Sequence, residues 1–268
     1  MTRTRDPQPA RSTVEAIRQR PECDVLIIGA GINGIATFRD LALNGVDVVL
    51  VDRDDYVAGA SSGSSHMIHG GIRYLENGEF RLVQESVHER NALLRLAPHY
   101  VRPLPTTIPI FSTFSSLLAA PLRFIGIKTK GRKERGALII KVGLTIYDTF
   151  SRDGGRVPRH QFRGARASRE LLPALRDDVK WTATYYDASM HDPERLALDV
   201  LMDGVAAGDH ARASNYLEAV AMADDGAVTL RDGVSGEQFA VRPRVVVNAS
   251  GPWTDLTNAA LGEPTRYM

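Results

Sequence analysis

The sequence lacks several features that would assign it to a common class of protein. It has one cysteine, Cys23, among 268 residues, which excludes a disulfide framework or a cysteine-rich metal site and favours a reducing compartment. The formal net charge is only +1, so there is no excess of positive charge to hold nucleic acid. We therefore expect no metal site and no nucleic-acid partner.

Long apolar runs are also lacking. The first twenty residues carry five arginines and two prolines without an apolar run, whereas a signal peptide needs roughly seven or more consecutive apolar residues. No stretch reaches the ~18 apolar residues of a membrane-spanning helix. We expect a disordered lead-in over residues 1–22 and a cytoplasmic location.

Residues 24–52 contain the most informative pattern in the chain. Residues 25–28 form a continuous apolar run, as a parallel strand buried on both faces requires. A helix follows over about residues 32–43, and a second apolar strand over residues 46–51 ends at Asp52. This order of strand, turn, helix, strand and acid predicts a dinucleotide-binding unit of the Rossmann type.

The turn inside this unit carries three glycines, Gly29, Gly31 and Gly34, spaced as G-x-G-x-x-G. The first permits a tight turn, the second lets the backbone approach a pyrophosphate, and the third lets the helix pack close to the strand. Asp52 lies where an acidic side chain would bind ribose hydroxyls. An acid here argues against a 2′-phosphate, which leaves FAD and NAD as candidate cofactors.

A longer resemblance begins at residue 61. Residues 61–104 read SSGSSHMIHGGIRYLENGEFRLVQESVHERNALLRLAPHYVRPL, with GAGING at 29–34, YYDA at 185–188 and NASGPW at 248–253. Together these motifs resemble the FAD-dependent glycerol-3-phosphate dehydrogenases, which belong to the wider D-amino-acid-oxidase-like group of flavoproteins. The resemblance spans essentially residues 24–253 and implies FAD rather than NAD.

The resemblance also implies a role for individual residues. Those that it places on FAD are Gly29, Gly31, Gly34, Asp52, Ser61, Ser62, Ser65, His69, Gly70, Gly71, Ala249 and Gly251. It places Arg73 and Tyr74 at the substrate, and a guanidinium is well suited to a phosphate monoester because it forms two charge-assisted hydrogen bonds. His69 is the local candidate for the base that takes a proton from the substrate hydroxyl.

By resemblance, the reaction would be oxidation of sn-glycerol 3-phosphate to dihydroxyacetone phosphate by hydride transfer to FAD, with electrons passed to a quinone. The resemblance also implies that the full-length protein is a homodimer that binds peripherally to the inner face of a membrane. Residues 110–127 are apolar, are broken by Pro121 and precede a basic cluster. That pattern fits an interfacial membrane anchor, but it also fits a buried helix followed by a solvated loop.

We therefore predict an α/β fold with two parts. A Rossmann-like FAD-binding domain, with a parallel sheet, helices and a β-meander, would comprise residues 23–100 and 190–268. Part of a mixed-sheet substrate domain would comprise residues 101–189. Because family members continue beyond the region that this chain matches, we expect a truncated chain with little activity alone.

Two other functions remain open at this point. One is an amine or amino-acid oxidase of the same flavoprotein group. The other is a catalytically inactive FAD-binding module.

Overall fold

The helices and strands of the chain fall into two structural units. The computed structural model describes residues 11–113, 136–151 and 157–265. The first unit comprises Met1–Ser65 and Asp192–Met268, and the second comprises His66–His191. Each unit is described separately below.

The regular elements are numbered in chain order within the described residues. The strands are β1 (Glu22–Ile28), β2 (Val48–Val51), β3 (Met67–Ile68), β4 (Val101–Ile110), β5 (Gln161–Gly164), β6 (Trp181–Met190), β7 (Ala211–Ser214), β8 (Leu217–Met222), β9 (Val228–Asp232) and β10 (Gln238–Asn248). The α-helices are α1 (Ser12–Gln19), α2 (Ile32–Leu43), α3 (Phe80–Leu96), α4 (Ala137–Ser151), α5 (Ala165–Leu171), α6 (Pro193–Val205) and α7 (Thr254–Ala260). Two 3₁₀-helices span Ile72–Asn77 and Gly251–Trp253.

A six-stranded sheet in the order β7-β2-β1-β10-β9-β8 forms the centre of the first unit. The first four strands run parallel, and β8, β9 and β10 form an antiparallel meander. The prediction of an α/β fold with a parallel sheet and a β-meander is therefore confirmed.

Hydrophobic clusters cover both faces of the neighbouring strands β1 and β2. Leu26 and Val49 pack on one face in a cluster with Ile17 of α1, and Ile27 packs on the other face in a cluster with Phe38 of α2. All five side chains are at most 1% exposed. Neighbouring residues of one strand point to opposite faces, so two covered faces require the continuous apolar runs seen in the sequence.

The disordered lead-in predicted over residues 1–22 is wrong for α1 and for the start of β1 at Glu22. Val14 and Ile17, three residues apart on α1, are buried against the first unit. Arg11, just before the helix, donates hydrogen bonds to Asp232 at 3.0 Å and to the Ser214 hydroxyl at 2.9 Å. A short apolar stripe and one arginine therefore order this segment despite its many charges.

Strand β6 organises the second unit. It pairs with β4 over its whole length and with β3 and β5 at its two ends. All of these pairings are antiparallel, whereas a mixed sheet is predicted from the sequence. Within the described residues, β4 pairs with β6 alone, and its Pro103, Pro105 and Pro109 occupy alternate positions. Such prolines are tolerated because their missing N–H groups would point away from β6, to the edge of β4 that has no partner strand among the described residues.

The boundary between the units differs from the predicted domain boundary. Residues 66–100 group with the second unit, whereas the sequence predicts that they belong to the FAD-binding domain. The reason is that β3 adds to β6, while Val83 and Val87 of α3 join the hydrophobic cluster that contains Tyr185.

No helix in the described part of the chain is long and apolar enough to cross a lipid bilayer. The predicted interfacial anchor at residues 110–127, with its basic cluster, lies outside the described residues from residue 114 onwards.

Candidate cofactor and substrate sites

The first and third glycines of the turn are required by close packing. Gly29 has φ +110°, and a Cβ atom there would lie 2.6 Å from the carbonyl carbon and oxygen of Ala249. A Cβ atom on Gly34 would lie 1.8 Å from the carbonyl oxygen of Gly29. Any side chain at either position would therefore separate α2 or the 249–250 backbone from the end of β1.

The second glycine, Gly31, lies at the N-terminus of α2. The hydroxyl of Ser61 accepts a hydrogen bond from the backbone N–H of Ile32 at 3.0 Å. A Cβ atom on Gly31 would lie 3.3 Å from the same hydroxyl. Ser61 thus covers the first turn of the helix, where the partial positive charge of α2 would attract a phosphate.

Asp52 follows the last residue of β2 and accepts two backbone hydrogen bonds. Its Oδ2 atom accepts from the N–H of Ala30 at 2.6 Å, and its Oδ1 atom accepts from the N–H of Asp54 at 2.9 Å. Burial raises the pKa of Asp52, and the two hydrogen bonds partly oppose that rise. Each carboxylate oxygen still has acceptor capacity for a hydroxyl of a ligand.

Asn248, which was not predicted as a site residue, fixes the turn that follows β10. Its side-chain oxygen accepts hydrogen bonds from the N–H and the hydroxyl of Ser250 at 3.1 and 2.6 Å. Its side-chain amide donates to the carbonyl of Thr254 at 3.0 Å. The turn through Ala249 and Gly251 is fixed in this way, and the NASGPW motif was the available signal for it.

An open cleft of about 250 Å³ lies between these elements of the first unit. The predicted FAD residues that line it are Gly29, Gly31, Asp52, Ser61, Ala249 and Gly251. Ser62 donates to the carbonyl of Gly59 and, like Ser65, lies outside the lining. Arg53 and Trp253, which were not predicted as site residues, also line the cleft. The guanidinium carbon of Arg53 lies 5.0 Å from the centre of the Trp253 ring.

The cleft fits the ADP half of a dinucleotide. Two of its lining residues, Gly29 and Gly31, have no side chain, so a ligand can approach the backbone there. It also combines the N-terminus of a helix, which suits a pyrophosphate, with a carboxylate at the end of the second strand, which suits a ribose. If FAD binds here, Gly31 and Ser61 would contact its pyrophosphate, and Asp52 would contact the ribose of its ADP half.

The remaining predicted site residues lie in the second unit. His69 and Arg73 are exposed, and Tyr74 is partly buried. Gly70 and Gly71 are buried, and Gly71 has φ +73° at the start of the 3₁₀-helix Ile72–Asn77. The ring centres of His69 and Tyr74 lie 6.4 Å apart. The structure therefore brings His69, Arg73 and Tyr74 onto one short turn.

Tyr185, on β6, is buried beside this turn. Burial raises the pKa of Tyr185 to about 12, the negative charge of Asp187 adds to the rise, and the positive charge of Arg73 opposes it. Arg73 is therefore close enough to act on the phenol electrostatically while its own side chain remains exposed.

Comparison with known proteins assigns the chain to a family. The model of a family described as FAD dependent oxidoreductase matches residues 24–268. A glycerol-3-phosphate dehydrogenase from Synechocystis is 37% identical over 246 residues, which cover 88% of this chain and 40% of that protein. The chain thus spans well under half the length of this curated relative.

Two solved structures share the fold. A glycerol-3-phosphate dehydrogenase from Bacillus halodurans complexed with FAD aligns with a TM-score of 0.61 at 22% identity, over 92% of this chain and 38% of that one. An L-proline dehydrogenase from P. horikoshii aligns with a TM-score of 0.62 at 15% identity, over 91% and 57%.

These matches confirm the resemblance and the FAD cofactor inferred from the motifs. At such identities the structural matches concern the fold alone. The chain belongs to the family of FAD-dependent oxidoreductases.

Proposed function

We propose that the protein carrying this chain oxidises sn-glycerol 3-phosphate to dihydroxyacetone phosphate. The observation that carries the proposal is the 37% identity with a glycerol-3-phosphate dehydrogenase, in a chain whose first unit has a cleft suited to an adenine dinucleotide. The fold alone does not select this substrate, because a proline dehydrogenase shares it equally well.

The residues of the second unit would act on the substrate directly. Arg73, exposed on its turn, would bind the phosphate through two parallel N–H bonds. His69 would take the proton from the C2 hydroxyl as the C2 hydrogen leaves. Gly70 and Gly71 carry no side chains to compete with the substrate for space. FAD, when bound, supplies the acceptor for the hydride.

The electron acceptor and the cellular setting belong to the same proposal. We infer that a quinone reoxidises the cofactor and that the enzyme is a cytoplasmic homodimer attached to the inner face of the membrane. The support is the family resemblance and the apolar segment followed by basic residues at 110–135. We expect an isolated 1–268 polypeptide to turn over little, since it spans 40% of its curated relative.

A substrate panel tests the proposed reaction. The full-length protein, loaded with FAD, is assayed with a quinone analogue as acceptor against sn-glycerol 3-phosphate, glycerol, L-proline and glycine. We expect turnover with glycerol 3-phosphate and essentially none with glycerol, because only the former offers a dianion to Arg73. Turnover with an amino acid alone would favour an oxidase of the same group, and stoichiometric FAD without any turnover would indicate an inactive module.

A further inference from the structure

A charged pair lies fully inside the second unit. The guanidinium of Arg90, on α3, lies 3.5 Å from the carboxylate of Asp187, on β6, and the two side chains are 0% and 2% exposed. Removing two charges from water is energetically unfavourable, and an apolar pair of similar volume is often at least as stable. Burial of this pair therefore calls for an explanation beyond stability.

The carboxylate of Asp187 is directed at the predicted substrate turn. Its Oδ1 atom accepts a hydrogen bond from the backbone N–H of Gly70 at 2.9 Å and another from the hydroxyl of Tyr147 at 2.7 Å. A Cβ atom on Gly70 would lie 2.0 Å from that hydroxyl. The backbone at Gly70 is therefore held by a charged acceptor and by close contact with Tyr147.

Arg90 is itself fixed on every side. It donates to the Tyr147 hydroxyl at 2.7 Å and to the carbonyl of Tyr186 at 2.9 Å. It also donates to the side-chain oxygen of Asn91 at 3.0 Å and to the hydroxyl of Ser151 at 3.1 Å. A buried hydrogen-bond network whose donors and acceptors are satisfied is rigid, because its groups would lose hydrogen bonds if they moved.

The hydrogen bond from Gly70 to Asp187 lies just beyond the end of the β3–β6 pairing. The pairing of β3 with β6 ends at Ile68 and Ala188, so the backbone ladder stops just before His69. The next hydrogen bond that holds this backbone is the one from the N–H of Gly70 to Asp187. Gly71 then adopts its left-handed conformation and starts the turn that carries Arg73.

We propose that Asp187, with Arg90 and Tyr147, is a positioning unit that sets the backbone of residues 69–71 and thereby places His69 and Arg73 on the substrate. These three residues touch neither substrate nor cofactor in this account. The proposal rests on the proposed function of His69 and Arg73 and assigns to buried residues the task of orienting them.

Two variants in the full-length enzyme test the proposal. Tyr147→Phe removes one hydroxyl from the network, and Asp187→Asn removes the charge. Thr182→Val is the matched control, because Thr182 lies on the same strand, is 1% exposed and loses a buried hydroxyl bonded at 2.9 Å to Ser168. We expect kcat/KM for glycerol 3-phosphate to fall roughly 10- to 100-fold in the two test variants, with FAD content unchanged and the control at the wild-type level.

Hydrogen exchange of the peptide covering residues 66–78 supplies a readout that does not depend on activity. We expect faster exchange in this peptide in Tyr147→Phe and in Asp187→Asn but not in Thr182→Val. If Tyr147→Phe leaves both exchange and kcat/KM at wild-type values, the positioning role is overturned even where Asp187→Asn fails to fold. Failure of the wild-type enzyme to oxidise glycerol 3-phosphate would refute the proposed function instead, and exchange would still decide whether the network holds the segment.

Discussion

The backbone N–H of Ala30 donates a 2.6 Å hydrogen bond to Oδ2 of Asp52. This bond joins the glycine turn after β1 to the end of β2, so the side chain expected to bind the ribose also braces the turn expected to bind the pyrophosphate. Burial raises the pKa of Asp52, which means that keeping the carboxylate ionised costs folding free energy. Such a cost is typical of residues kept for function.

The first prediction concerns the pH dependence of this cost. A carboxyl group whose pKa is higher in the folded protein than in the unfolded chain adds to the free energy of unfolding at pH values below its pKa in the unfolded chain. That contribution is lost as the pH rises through its pKa in the folded protein. Asp52→Asn does not titrate. The unfolding free energy of Asp52→Asn minus that of the wild type should therefore increase as pH rises from about 4 towards neutrality, whatever constant offset the amide introduces.

Urea unfolding of the FAD-free proteins at several pH values measures this difference, and FAD titration measures the functional cost. We expect FAD to bind at least about tenfold more weakly to Asp52→Asn, since a hydrogen bond to a charged group contributes ~1.5 to 3 kcal/mol. If the difference in unfolding free energy between Asp52→Asn and the wild type does not change with pH, burial does not destabilise the ionised form of Asp52.

The second prediction compares two helical glycines. Gly34→Ala places a methyl group 1.8 Å from the carbonyl oxygen of Gly29, so we expect loss of FAD and a large fall in thermal stability. Gly143 of α4 has nothing within 4 Å of an added Cβ atom, and Gly143→Ala should stabilise by about 0.5 to 1 kcal/mol. Thermal melts and the flavin absorbance of purified protein report both results. Retention of FAD by Gly34→Ala would mean that the turn is not closely packed.

The third prediction concerns the thiol of Cys23. Burial raises the pKa of Cys23 to about 11 from the ordinary 9.0, and the positive charge of Arg212 partly opposes that rise. A rise of two units in the pKa lowers the fraction of Cys23 present as the reactive thiolate roughly 100-fold at about pH 8. Ellman's reagent should therefore react slowly with the native protein and rapidly after denaturation. Rapid reaction of the native protein would place Cys23 at the surface.

The fourth prediction concerns phosphate recognition. Arg73→Lys keeps the charge but loses the planar fork, so we expect KM for glycerol 3-phosphate to rise about tenfold with a smaller change in kcat. Arg81→Lys is the matched control, because Arg81 is an exposed arginine of the same unit whose partner is Glu85. Steady-state kinetics of both variants give the comparison. Equal KM values in the two variants would exclude Arg73 as the phosphate ligand.

The glycine turn and its helix were predictable because their signals are local. Three glycines, an apolar run and the pair Asn44-Gly45, which is typical of a helix end, lie within one short stretch. The predicted helix over residues 32–43 coincides with α2. Helix α1 was missed because only Val14 and Ile17 reveal it, and five arginines with two prolines obscure a stripe of two residues.

Other features depend on contacts that sequence reading cannot reach. Arg90 and Asp187 are 97 residues apart in sequence, so nothing local marks either one as part of a buried pair. Residues 66–100 join the second unit because β3 pairs with β6, and a two-residue strand leaves almost no sequence pattern. The roles of Arg73 and His69 remain predictions that kinetics must decide.

The proposed oxidation of sn-glycerol 3-phosphate can be observed in a single turnover, by anaerobic mixing of this substrate with the FAD-loaded full-length protein. We expect the absorbance of the oxidised flavin to be bleached and one equivalent of dihydroxyacetone phosphate to form per FAD. Flavin that stays oxidised with glycerol 3-phosphate, yet is bleached by an amino acid, would refute the proposed reaction.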